Sequence, residues 1–193
     1  MLADPAAPRV VDLWEVLAER IRTRRDGLVA HATWLLRLSA DPAPPRFALL
    51  LDFTPASAGR RAGAWEPGER FAGELAFFPA RRPLRAVLVH RERVDAAPPW
   101  PDAPDPERAL TDWALDEPWA IERPILLPAG RIAVDDAGGA WWRPRDGAAL
   151  PMTGRPDGAL LGGELAHAAA IWSGGRLDLL AARGDWGRLD GVE

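Results

Sequence analysis

The chain has 193 residues, 48% of them hydrophobic and 27% charged, with a net charge of -4 and no cysteine. That length supports one large or two small domains with proper cores. Without cysteine there are no disulfides, thiolate nucleophiles or cysteine-based zinc and iron–sulfur sites, and the acidic balance argues against a nucleic-acid binder, which carries a basic footprint.

All 24 basic residues are arginine, and lysine, tyrosine, asparagine and glutamine are missing. A GC-rich bacterial coding genome accounts for this alphabet, so arginine content by itself says little about phosphate binding. No run reaches the roughly 18 apolar residues that a membrane span needs. The start, MLADPAAPRVVD, has an early acid and no apolar h-region, so cytoplasmic residence is expected.

Residues 1–9 are Pro- and Ala-rich and are expected to be a disordered terminus. Over 10–38, Val10, Leu13, Trp14, Leu17 and Ile21 recur near helical spacing. Asp26-Gly27, however, is a hairpin signal midway between two apolar runs. A hairpin of 12–22 with 28–38 is favoured, and a helix over 10–24 is its rival. Ser39–Pro45 reads as a turn. Phe47–Phe53 reads as a strand buried on both faces, because Ala48–Leu51 are four consecutive apolar residues. The loop 54–68 is expected to be long and mobile with Trp65 as its anchor. Phe71–Phe78 and Leu84–His90 follow as strands, completing a three-stranded meander over 46–91.

Five prolines fall within Asp95–Pro106, which gives a stiff extended linker. Asp105-Pro106-Glu107 starts a short helix with an N-cap, a first-turn proline and an acid at the positive end. Leu110, Trp113 and Ala114 are its apolar face, and Pro118 ends it. Beyond it, 125–127, 131–134, 140–144, 160–172 and 176–182 read as short strands between Asp- and Gly-rich turns. The expected fold is therefore mainly β (α+β). An antiparallel, barrel-like N-terminal domain spans 10–94, a Pro-rich linker spans 95–106, and a short helix plus a small antiparallel β subdomain spans 107–193.

No catalytic set stands out, so no catalytic residue, metal ligand or cofactor is assigned. His31, His90 and His167 each fall in a strand without a partner at metal-ligand spacing, and no serine sits in a nucleophile elbow. Asp135-Asp136 before Gly138-Gly139 lacks the alternating acids and closing Glu of a calcium loop and reads as a turn. Asp52, at the expected end of a buried strand, either caps a turn or pairs with an arginine such as Arg85. Arginine clusters stand at 22/24/25, at 60–61 and at 81/82/85; a solvated face is preferred over phosphate binding. Of the ten tryptophans, Trp14, Trp34, Trp113 and Trp172 lie on periodic faces and build cores. Trp65, Trp100 and Trp119 adjoin prolines and either cover linkers or form a partner surface.

The order of motifs resembles a known family. Trp34-Leu35-Leu36, Ala48-Leu49-Leu50-Leu51-Asp52-Phe53, Glu74-Leu75-Ala76-Phe77-Phe78-Pro79 and Pro83-Leu84-Arg85-Ala86 are similar to the C-terminal region of bacterial SWIM zinc-finger proteins. Pro118-Trp119 and Trp141-Trp142 through Ala149-Leu150-Pro151 continue the likeness over most of 14–190. Arg37 replaces a usual glycine and Phe78 a usual tyrosine. The family's C-x-C…C-x-H zinc module has no counterpart here, so its zinc and DNA roles do not carry over. The resemblance implies a stand-alone version of the family's accessory region. Together with the missing catalytic set and the Trp- and Pro-rich surface candidates, it favours a non-enzymatic protein-interaction module, accessory to a SWIM zinc-finger or ATPase partner, with Trp34, Asp52, Trp65, Arg85 and Trp119 as candidate binding residues. The alternatives are a nucleic-acid-binding accessory using the arginine clusters, and a hydrolase built from Asp52, His90 and arginines.

Overall fold

The structure, a computed structural model, describes residues 7–41, 45–58, 65–154 and 161–191. The chain is mainly β, with one short α-helix among the described residues. It divides into two compact units, residues 1–101 and 102–193. No helix among the described residues is long and apolar enough to cross a membrane.

The first unit holds β1 (Arg9–Thr23), β2 (Leu28–Arg37), β3 (Phe47–Pro55), β4 (Arg70–Phe77) and β5 (Arg85–Arg93). The hairpin prevails over the helix at residues 10–24. Gly27 takes φ 79°, which an L side chain resists. The Asp26 carboxylate accepts the Leu28 N–H at 3.2 Å, and the Arg24 N–H reaches the Leu28 carbonyl at 2.7 Å. β1 and β2 then pair from Trp14↔Arg37 to Thr23↔Val29. Of the terminus expected to be disordered, 1–6 lie outside the described residues, while Ala7 is buried and the Pro8 carbonyl accepts the Phe77 N–H.

The five strands close into a barrel in the order β1-β2-β3-β5-β4. This refines the three-strand reading of 46–91, because β5 inserts between β3 and β4 and pairs in parallel with β3. A parallel pair needs a long connection, and the chain from 56 to 84, which contains β4, supplies one. Trp14, Val16, Leu35, Leu50, Phe71 and Phe77 fill the interior. Over Phe47–Leu50 β3 is buried on both faces, but Asp52 and Phe53 are exposed. Asp52 is therefore not at the strand's end, since β3 continues to Pro55.

In the second unit, α1 (Pro106–Asp116) starts where Asp105 accepts the Arg108 N–H at 2.8 Å. Its buried face is Pro106, Ala109 and Trp113. Ala114, expected on that face, is exposed; Ala109, one turn before Trp113, takes its place. The strands are β6 (Arg123–Leu127), β7 (Gly130–Val134), β8 (Ala140–Pro144), β9 (Leu150–Pro151), β10 (Glu164–Ser173), β11 (Arg176–Gly184) and β12 (Gly187–Asp190). β6 and β7 run along the same edge of β10, broken only at Pro128-Ala129. The sheet runs β12-β11-β10-β7-β8-β9, then curls until Met152 pairs with Leu177 of β11. β10 begins at Glu164 rather than 160, after Gly162 turns at φ 84°. The strands at 150–151 and 187–190 escaped the sequence reading because both are too short to show alternation.

Candidate functional site

The first unit's outer surface is set by a bulge. Val16 pairs with Leu35 and faces the core, yet Ala18 pairs with Trp34, so Leu17 is the extra residue. One added residue reverses the alternation that follows it. Arg20 and Arg22 therefore point outward rather than into the barrel.

Two cross-strand rows result. Arg22, Ala30 and Phe53 stand side by side across β1, β2 and β3, and Arg20, Ala32 and Leu51 form the next row on the same face. The alanines make a shallow floor between arginines on one side and apolar side chains on the other. Phe53 is 44% exposed, and the Arg24 guanidinium lies 5.6 Å from its ring centre. Arg24 also meets Asp26 at 3.1 Å. Where the β4–β5 loop enters β5 there is a matching feature: Arg85 lies 5.2 Å from the centre of the exposed Phe78 ring.

Charge is divided unevenly. Residues 1–101 carry 15 arginines against 12 acids, a net +3, while residues 102–193 carry 9 against 16, a net -7. The overall -4 hides a basic unit joined to an acidic one.

The sequence-derived candidates scatter. Trp34 and Arg85 share one row through Leu49, but Trp34 is buried and Arg85 exposed. Asp52 lies opposite His31, one residue out of step with the outward Leu51 and Phe53, and Arg85 lies opposite Leu49. The expected Asp52–Arg85 pair is thus not formed, because the parallel register offsets the two residues. His90 faces Glu74, so Asp52 and His90 do not oppose each other either. Trp65 is no surface residue: it packs 5.5 Å from Phe71 in the barrel core, and Arg91 lies 4.1 Å from its ring centre. Trp100 is buried as well. Trp119 is 92% exposed, with Leu115 and Ile121 also exposed. The arginines at 60–61 lie outside the described residues.

No cluster of three or more His, Asp or Glu among the described residues could hold a metal ion. Asp135 shows why its segment is a turn. Its carboxylate accepts the Gly139 N–H at 2.7 Å, the Ala137 N–H at 3.0 Å and the Trp141 indole N–H at 2.8 Å. A Cβ on Gly139 would meet this carboxylate at 2.8 Å. The Trp141 hydrogen bond, then the backbone donors, hold its pKa below the usual carboxylate value. A carboxyl depressed in the folded state stabilises above its unfolded pKa and loses that contribution as pH falls through the folded one. The β7–β8 turn is therefore expected to loosen only below about pH 4. Following the Trp141 indole N–H by NMR during acidification checks this; release near neutral pH would refute it.

The chain matches no family model, no curated protein and no solved structure.

Proposed function

We propose that the chain is a binding module whose basic barrel takes single-stranded nucleic acid across β1–β3. The observation that carries this is the pair of rows in which the Leu17 bulge sets Arg20 and Arg22 across an alanine floor from Leu51 and the exposed Phe53. A track of cations beside an exposed aromatic ring is what an unpaired strand requires: phosphates meet arginine, and a base stacks on the ring. The strand order adds an analogy. It is that of the five-stranded OB-type barrel, in which strands 2–3 and the loops after strands 1 and 4 take oligonucleotides. Here those loops hold Arg24-Arg25 and Arg81-Arg82. The order alone would carry no function; the arginine rows do.

Fluorescence anisotropy of a labelled oligo(dT) of about 16 nucleotides, titrated across salt, tests this. With about three phosphate contacts the slope of log K against log salt is expected to be roughly -2. The double variant Arg22→Ala/Arg24→Ala should flatten the slope by about 1.4. Phe53→Ala should weaken binding by about 1–3 kcal/mol and leave the slope unchanged. Absence of binding at low salt, or variants that bind like the parent, would sink the reading.

A second reading, a protein contact with a SWIM zinc-finger or ATPase partner, is favoured by the exposed Leu115, Trp119 and Ile121. Co-purification with such a partner, lost in Trp119→Ser, is expected on this reading; failure to recover any such partner would count against it.

A further inference from the structure

In the second unit, β7 and β8 set Arg131 directly opposite Arg143, and β10 sets Glu164 opposite Arg131 on its other side. Directly opposed residues share a face with Cβ atoms about 5 Å apart. Glu164, Arg131 and Arg143 therefore form one row across three strands.

This row poses a physical problem. Like charges directly opposite each other destabilise a sheet, and the only acid in the row is already engaged. Glu164 pairs with Arg145, and Asp146 and Asp185 also act on that same arginine. Among the described residues neither Arg131 nor Arg143 makes an ion pair. In a unit of net -7, two arginines thus stand side by side with no acid between them.

The row lines a cavity of about 580 Å³, within the usual range for a small-molecule site. Gly130 also lines it. A Cβ there would lie 2.6 Å from the Arg143 carbonyl and 3.0 Å from the Trp142 ring, so the β7 and β8 backbones approach closely at this point. Pro144 and Ala149 add an apolar wall.

We infer that this cavity binds a small organic phosphate monoester, with its phosphate between Arg131 and Arg143 and its organic part against Pro144 and Ala149. A monoester carries about -1.5 to -2 charges near pH 7 and three terminal oxygens. It can neutralise both arginines while each guanidinium fork grips two oxygens. A single carboxylate offers one charge and satisfies one fork. The site is independent of the nucleic-acid reading, since it lies wholly in the other unit.

Isothermal titration of the full chain with phenyl phosphate is the test, with phenol, inorganic phosphate and sulfate at matched ionic strength as comparisons. Saturable binding of phenyl phosphate is expected, at least about tenfold tighter than inorganic phosphate or sulfate, and none of phenol. Arg131→Gln and Arg143→Gln should each weaken it roughly tenfold or more. Because each variant relieves the repulsion, its ligand-free Tm should equal or exceed that of the parent. Arg22→Ala/Arg24→Ala should bind phenyl phosphate unchanged, which separates this site from the first unit's face. No saturable heat, equal binding of inorganic phosphate, or undiminished binding by the glutamine variants would overturn the assignment. A lowered ligand-free Tm in the glutamine variants would also overturn it, by showing that the arginines serve the fold.

Discussion

Replacing Arg70 with alanine is expected to destabilise the chain by about 3–5 kcal/mol. Glu15 is fully buried, and it faces Arg70 across the β1–β4 ladder. The Arg70 Nε–H donates to the Glu15 carboxylate at 2.8 Å, and an Arg70 Nη–H reaches the Ala97 carbonyl at 3.3 Å. Arg70 keeps only 21% of its side chain exposed, so solvent screens this pair far less than a surface one. Truncating the arginine leaves a fully buried carboxylate with its principal cation gone. Removing both charges should be milder: Glu15→Leu/Arg70→Met is expected to recover more than half the loss, since a well-packed apolar pair substitutes for a buried ionic one. Urea midpoints of the parent and the two variants decide the matter. A loss below about 1 kcal/mol for Arg70→Ala, as exposed pairs give, would refute the account.

Trp142→Ala should cost about 3–5 kcal/mol, whereas its neighbour Trp141→Ala should cost about 1 kcal/mol or less. Successive strand residues point to opposite faces. Trp142 has no exposed surface, while Trp141 is half-buried and turns its indole to Asp135. The Trp142 ring lies under Gly130, so alanine would leave a cavity that the rigid β7–β8 backbone cannot fill. Among the described residues its indole N–H is buried without a hydrogen-bond partner. Trp142→Phe keeps most of the ring and removes that orphaned donor, so it should retain most of the stability. Thermal unfolding of the three variants separates these effects. Equal losses at 141 and 142 would mean that the face assignment is wrong.

Both expectations depend on information that sequence carries unevenly. Local punctuation was legible. Asp26-Gly27 marks a hairpin because few other residues tolerate its backbone, and Asp105-Pro106 marks the one helix because cap and proline chemistry act within a single turn. Runs of apolar residues bounded by Gly and Pro placed the long strands and the mainly β class.

Pairing was not legible, because it joins residues far apart in the chain. Nothing local says that β5 slides between β3 and β4, or that Glu15 meets Arg70 across 55 positions. The Leu17 bulge is equally silent in sequence, yet it alone decides that Arg20 and Arg22 face outward. That is why arginines at 20–25 read as an ordinary solvated cluster in sequence and become a row beside Phe53 in the fold. Arg131 and Arg143 are the extreme case. Twelve positions apart they carry no motif, and only the β7–β8 register makes them neighbours. The sequence by itself determined the mainly β class, the first hairpin turn and the start of the helix, since turn and cap chemistry are local. The tertiary structure decided which charges confront each other, since β-sheet register is set by the whole barrel at once.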